Sequence, residues 1–343
     1  MRSLFSILFI ACVVAFIGQL VTSAAGRQSS LLNEWSLYKR QYGKVYETPM
    51  EDSRRFSLFM AAKNKIEHHN SNANASYKLG LNHMSDWTEK ELSRLRGVNS
   101  LDAMKHMKQS PEADAFMQKL MNDPTPVPDE VDWRKVENRV SPVKDQGFCG
   151  SCWAFATVGA LEGQQVVRNY TKKLISLSAQ NVVDCSFLNT GCGGGWPSLA
   201  LEDIAYLGGI ESDSDYPYDA QDHYHRCEFK QNKSVMTTDG YYDLYRMGEV
   251  VLKKLVATFG PVSVLVDSST WQNYESGVHE CEPGDIDHAV LAVGYGTDPK
   301  LGDYWIIKNS WTEKWGEKGY IRLRRGRSAC NIGQYSTIPK WND

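Results

Sequence analysis

Gln146-Gly147-Phe148-Cys149-Gly150-Ser151-Cys152-Trp153-Ala154-Phe155 places a thiol where a loop turns into a helix. Lys144 to Gly147 is loop-like, and Ser151 stands as N-cap before a run with Trp153, Phe155, Val158, Leu161 and Val166 at its apolar positions. The pattern predicts an amphipathic helix from Cys152 to about Arg168. A thiol in the first turn meets the positive end of the helix dipole, which favours the thiolate, the nucleophilic form. Cysteine arithmetic singles out the same region. The chain has 8 cysteines, and Cys12 lies in the apolar N-terminal segment, so an odd number remains beyond it. In an exported protein a leftover thiol is either an intermolecular bridge or a nucleophile. The surroundings of Cys152 favour the nucleophile.

Export itself is read from the N-terminus. Arg2, an apolar stretch from Leu4 to Ile17 and the small residues Thr22-Ser23-Ala24-Ala25 form a signal peptide, residues 1–24, too short in its apolar run to span a bilayer. Export implies a secreted or lysosomal/endosomal location where disulfides persist. Asn74, Asn169 and Asn232 each open an Asn-x-Ser/Thr triplet and are candidate glycan acceptors. The formal net charge of −3 over 343 residues leaves no basic face for nucleic acid or a membrane surface. Arg322-Leu323-Arg324-Arg325 reads as the solvated side of a strand.

Between residues 25 and 126 the chain has a different character. A charged helical stretch runs from about Leu31 to Asn70, with Glu51, Arg55, Phe59, Ala62, Ile66 and Asn70 on one helical face. Tyr77-Lys78-Leu79-Gly80-Leu81 alternates like a strand, and Asp86 to Glu91 reads as a capped helix start. From Val98 to Pro128 the chain is expected to be extended and exposed, with Pro124, Pro126 and Pro128 in alternate positions. Beyond residue 127 lie most glycines and tryptophans, in a helical half followed by strand-like runs at Val262–Val266, His288–Tyr295, Tyr304–Lys308 and Tyr320–Arg324. A cleft is expected where the halves meet.

Among the histidines beyond residue 127, only His288 opens a strand-like run, Asp287-His288-Ala289-Val290. Lys308-Asn309-Ser310-Trp311 ends another, offering an amide to hold an imidazole and an indole to shield it. Cys152, His288 and Asn309 together make the thiol version of a nucleophile, base and orienter set.

On these residues the chain resembles papain-like cysteine peptidase precursors of the cathepsin L group over nearly its whole length. Val127-Pro128-Asp129-Glu130-Val131-Asp132-Trp133-Arg134 is similar to that family's mature start, and Asn309-Ser310-Trp311, Trp315-Gly316 and Gly319-Tyr320 to its C-terminal motif. The resemblance implies an α+β fold: a papain-like, two-lobed peptidase with a helical left lobe, a β-barrel-like right lobe and the active site between them, preceded by a helical inhibitory prodomain. It implies Cys152 as nucleophile, His288 as acid/base, Asn309 as orienter, and Gln146 with the Cys152 backbone N–H as oxyanion hole. It pairs Cys149 with Cys192, Cys185 with Cys227, and Cys281 with Cys330, where the sequence alone leaves many pairings open. Gly194, Gly195, Trp196, Pro197, Leu265, Ile286, Asp287, Trp311 and Tyr335 would line the substrate cleft. The apolar pocket for the second residue before the scissile bond favours Leu, Val or Phe, and Tyr335, larger than in many relatives, makes it shallow, so Leu or Val is expected over Phe. The implied partners are protein and peptide substrates, the chain's own propeptide and cystatin-type inhibitors, with the enzyme a monomer that needs no cofactor or metal. Four positions depart from the family pattern: Ala62 in the helix motif, Met84 where Phe is usual, Thr312 where Gly or Ser is usual, and Tyr335.

Other readings weigh less. Cys149-Gly150-Ser151-Cys152 is also a C-x-x-C, but no strand precedes it as a thioredoxin-like motif requires, and His223, His225 and Cys227 make a poor second half for a zinc site. Gly191 to Gly195 lacks the Lys-Ser/Thr of a phosphate loop. A non-catalytic binding protein of the same fold and a peptide ligase remain as alternatives. The interval between Cys192 and Cys227 is too short for a large cleft-blocking insertion, which favours cleavage within chains.

Overall fold

The structure, a computed structural model, describes residues 29–98, 110–223 and 226–342. The signal peptide and its cleavage point, the first part of the Val98–Pro128 stretch and His225 lie outside the described residues. The chain divides into two units, residues 1–62 and 63–343.

In the first unit, helix α1 (29–42) and the start of α2 (Pro49–Asn70) are separated by a turn at Gly43, whose φ is 63°, so the helical stretch holds two helices, and Glu51 to Asn70 lie on one of them as expected. Trp35 stacks on Tyr38 at 5.5 Å and meets Phe59 at 5.3 Å, an aromatic core that joins the two helices. The Glu51 carboxylate pairs with Arg55 one turn later at 2.6 Å, as the shared helical face anticipates.

The second unit begins with the end of α2. Asn70 donates from Nδ2 to the Leu79 carbonyl at 2.7 Å and accepts from the Leu79 N–H at 3.0 Å, so its amide substitutes for a neighbouring strand. Strand β1 (Tyr77–Leu79) follows, then a turn in which Met84 is fully buried in the core, and α3 (Glu89–Ser93). Thr88 and Glu91 form the anticipated capping box, each side chain bonding the other's backbone N–H.

The Val98–Pro128 stretch is not extended throughout. Residues Pro111–Asn122 form α4, capped by Ser110 with Pro at its first position, and Phe116 stacks on Tyr242 at 4.7 Å. Burial of one apolar face and the Ser-Pro start outweigh the Met- and Pro-rich composition. The exposed run expected from the alternating prolines is confined to residues 123–130, where only Val127 is partly covered.

The peptidase-like body starts with β2 (Val131–Asp132). Helix α5 (Cys152–Glu162) is buried at every residue, so it is a central helix with no solvent face. It ends well before Arg168 because Gly163 closes it and Gln164 and Gln165 turn their amides to the Phe259 and Ile175 carbonyls at 2.8 and 2.7 Å. Around it pack α6 (Ala179–Cys185) and α7 (Pro197–Leu207), with the short pair β3 (Ile210–Glu211) and β4 (Ser234–Met236) beyond.

The other lobe holds β5 (Gly240–Tyr245), α8 (Gly248–Thr258), β6 (Val262–Val266), β7 (Tyr274–His279), β8 (His288–Asp298), β9 (Gly302–Lys308), β10 (Tyr320–Arg324) and β11 (Tyr335–Lys340). Its sheet order is β1-β7-β10-β9-β8-β6-β11-β5, with β2 on β8; β7 and β10 run parallel and the other pairs antiparallel. Gly159 of α5 lets Leu291 of β8 approach, since a Cβ there would lie 2.8 Å from a Leu291 methyl. The arginines of β10 are paired on a half-covered face: Arg322 with Glu317 at 2.8 Å and Arg324 with Glu280 at 2.5 Å. The two-lobed α+β arrangement expected from the sequence is the one observed.

Candidate active site

Cys152 is the first residue of α5 and is 0% exposed. Ser151 occupies the N-cap position but does not cap: its hydroxyl lies 2.6 Å from the Tyr218 hydroxyl, which itself donates to the Gln146 carbonyl at 2.8 Å. The loop before the helix is tied by the Cys149–Cys192 disulfide and by the Gly150 N–H on the Cys192 carbonyl at 3.0 Å. The other disulfides are Cys185–Cys227 and Cys281–Cys330, and Cys152 is the free cysteine of the described residues.

His288 begins β8 and Asn309 follows β9, so adjacent strands bring the two together: His288 Nε2 lies 2.8 Å from Asn309 Oδ1. Trp311 stacks on the imidazole at 4.9 Å and Trp271 meets it edge-on at 6.1 Å, so the ring is walled from water. Nδ1 of His288 is buried, and the Leu95 backbone bonds the ring in a way that favours its charged form. Gln146 is fixed at its carbonyl end by the Ser310 hydroxyl at 2.6 Å.

A strap of residues Leu95 to Val98 lies across these groups. The Gln146 amide donates to the Leu95 carbonyl at 3.0 Å, and the Gly97 N–H donates to Cys152 Sγ at 3.3 Å. The Gly195 N–H donates to the Gly97 carbonyl at 2.8 Å, and the Val98 N–H to the Asp287 carbonyl at 3.1 Å. Arg96 bridges Glu89 at 2.6 Å and Asp287 at 3.3 Å. A Cβ on Gly97 would collide with the Gly150 carbonyl oxygen, so the close approach requires glycine. Gly194 has φ 124°, and a Cβ there would press on the Gly97 carbonyl.

Val98, 5% exposed, packs in one apolar cluster with Trp196, Leu265, Ile286, Ala289 and Tyr335. Pro197 starts α7 beside Trp196. Tyr335 is T-stacked on Trp196 at 5.3 Å, and its hydroxyl donates to Asp243 Oδ2 at 2.6 Å. Sequence reasoning did not single out the strap residues or Asp243; the glycine and apolar pair at Gly97-Val98 is too short a signal to find.

Electrostatics follow from this coverage. Burial pushes the Cys152 thiol up to about 11, against hydrogen bonds from backbone N–H groups that favour the thiolate. Burial also pushes His288 down to about 4, with the Asn309 contact acting the other way. Both groups are therefore neutral beneath the strap near pH 7. Asp287 is pushed up to about 6 by burial, moderated by bonds from Ser268 and by Arg96. Asn74, Asn169 and Asn232 are all exposed.

Residues 127–340 match the papain family of cysteine proteases, and residues 35–92 match the cathepsin propeptide inhibitor domain. The chain belongs to the papain family and is a cathepsin L-like cysteine protease with an inhibitory propeptide. It is 38% identical to the cathepsin L-like peptidase of Aedes aegypti over 341 residues, covering 95% of this chain and 98% of that one. It is 39% identical to cathepsin L of Sarcophaga peregrina, covering 93% and 96%. The solved structure of digestive procathepsin L 3 from the larval midgut of Tenebrio molitor superposes with a TM-score of 0.78 at 37% identity, covering 90% of this chain and 99% of that one.

Proposed function

We propose that this zymogen is an endopeptidase in which Cys152 is the nucleophile, His288 the acid/base, Asn309 its orienter, and Gln146 with the Cys152 N–H the oxyanion hole. The observation that carries the reading is the strap: Leu95 to Val98 occupies the Gln146 amide and the Cys152 sulfur and joins the apolar cluster of Trp196 and Tyr335 at once.

With the strap gone, water reaches the pair and burial no longer holds both groups neutral. The proton passes from Cys152 to His288 Nδ1, and the helix dipole favours the thiolate. The sulfur attacks the scissile carbonyl, whose oxygen takes the negative charge and meets the Gln146 and Cys152 N–H donors. Loss of one such donor typically costs on the order of a hundredfold in rate. The C–N bond breaks as His288 protonates the departing amine, and a thioester forms on Cys152. Water then adds with His288 as base, releasing the acid and restoring the thiol and imidazole.

The strap runs against a substrate. Its Val98 enters the pocket while Leu95, earlier in the chain, reaches Gln146, whereas a substrate side chain in that pocket precedes the carbonyl attacked. The sulfur consequently meets the Gly97 N–H, and no carbonyl carbon is offered for attack. This explains inhibition without cleavage. The snug enclosure of a valine favours Val and Leu over Phe at the substrate residue two before the cut.

The mature enzyme would begin near Val127, in the exposed run 123–130, after removal of a leader ending near residue 24 and a propeptide of residues 25–126. The leader places the enzyme in the secretory pathway, lysosomal or secreted, as a monomer open to cystatin-type inhibitors. The test is acid processing of the purified proform, then hydrolysis of dipeptidyl-Arg fluorogenic substrates bearing Val, Leu or Phe before the Arg, with Cys152→Ala as control. Activity that follows loss of the prosegment and vanishes in the control supports the reading. Silence from folded, processed protein, or a clear preference for Phe, overturns the catalytic or the pocket part respectively.

A further inference from the structure

The apolar pocket ends in a polar device. β11 and β5 pair so that Thr337 stands opposite Asp243, and Tyr335 opposite Tyr245. The Asp243 carboxylate, buried, takes the Thr337 hydroxyl on Oδ1 at 2.6 Å and the Tyr335 hydroxyl on Oδ2 at 2.6 Å. The Tyr335 ring thus meets Trp196 within the apolar cluster that also holds Leu265, Ile286 and Val98, and its hydroxyl rests on an acid. A buried carboxylate gains from each donor it keeps, so each of these two hydroxyls is held in place by the acid it serves. The ring is tethered at its far end.

We infer that Asp243 is a positioning residue for substrate selection: by holding the Tyr335 hydroxyl it keeps the ring across the pocket floor, and the ring in turn hides the carboxylate from the substrate's side chain. The inference rests on the proposed pocket reading. Two consequences separate it from a merely structural role. A shortened residue at 335 deepens the pocket and uncovers an acid, so a guanidinium on the substrate gains a charged partner in a water-poor site. A larger apolar side chain gains room from the same change but needs no acid.

The experiment uses the full chain, acid-processed, with wild type, Tyr335→Ala, Tyr335→Ala with Asp243→Asn, and Tyr335→Phe, each assayed on paired substrates with Leu, Phe or Arg two before the cut. In Tyr335→Ala the kcat/KM ratios of Arg to Leu and of Phe to Leu are both expected to rise tenfold or more. Adding Asp243→Asn should abolish the Arg gain and leave the Phe gain. Tyr335→Phe, which keeps ring volume and folds if the alanine variant does not, should raise the Phe to Leu ratio several-fold because the ring loses its tether. A Phe gain without an Arg gain, an Arg gain that survives Asp243→Asn, or an unchanged profile in Tyr335→Phe overturns the inference while leaving the peptidase intact. A wild type that cleaves none of these substrates removes the pocket reading and this inference with it.

Discussion

The backbone N–H of Gly97 donates to Sγ of Cys152 at 3.3 Å, so the propeptide meets the sulfur of the proposed nucleophile through a donor and not through a carbonyl. The contact is backbone to side chain, set by the absence of a Cβ. Gly97→Ala would force the strap off Gly150, a clash of the kind that typically costs about 1–3 kcal/mol. Inhibition should weaken by roughly tenfold to a hundredfold. The measurement is the rate at which the intact proform processes itself near neutral pH; an unchanged rate would show that the strap contributes little to latency.

Gln146 is tied to Ser310 at one end and to the strap at the other. Gln146→Ala should lower kcat on the order of a hundredfold with little change in KM, because the lost donor acts on charge that develops only in the transition state. Steady-state kinetics of the processed enzyme decide this. A change confined to KM would argue that the amide serves binding alone.

Thr312 has φ 69°, in the left-handed region where a β-branched residue is strained. Relief of about 1–2 kcal/mol by glycine is partly offset by its chain entropy, about 0.5–1 kcal/mol, and by loss of the hydroxyl contact to the Lys314 N–H. Thr312→Gly is expected to raise Tm by a few degrees at most, read by calorimetry on the proform. A lower Tm would mean that the hydroxyl outweighs the strain.

Acid should loosen the proform through histidines held neutral. His279 is pushed down to about 4 by burial, with Tyr77 and Tyr274 against its ring at 4.4 and 5.8 Å, the Glu280 carbonyl and Thr270 hydroxyl at its nitrogens, and the His69 charge opposing protonation. His288 behaves alike. A group with a depressed cationic pKa binds fewer protons folded than unfolded, so its stabilisation is present above about 6.5 and is lost as pH falls toward 4. Asp287 runs the other way, because its raised pKa, about 6, favours the folded form as pH falls through that value. In a Cys152→Ala proform that cannot process itself, Tm should fall between pH 6.5 and 4.5, and His279→Gln should flatten that fall. Equal slopes in the two proteins would remove His279 from the account.

Strands with strong apolar or alternating runs, such as Val262–Val266 and Tyr320–Arg324, were readable from local pattern, as was the Thr88–Glu91 cap. Cys152, His288 and Asn309 stood out as candidates because each sits at the start or end of such an element. What local pattern could not supply was context. Helix α5 reads as amphipathic from its spaced apolar positions, yet its polar residues are inside too: Thr157 bonds the Trp153 carbonyl at 2.8 Å and Glu162 takes Lys144 at 3.2 Å. The strap at Leu95–Val98 and the tether at Asp243 owe their roles to residues far along the chain. No period or composition marks such pairs.

Cys152 is buried under the strap while the other six cysteines of the described residues are locked in disulfides. The proform therefore carries a gauge of its own opening. A thiol reagent added in excess can react only during the moments when the strap is away, so the alkylation rate, divided by that of an exposed thiol at the same pH, gives the fraction of molecules uncovered at any instant. One atom would report the latency of the whole precursor, before a single peptide bond is cut.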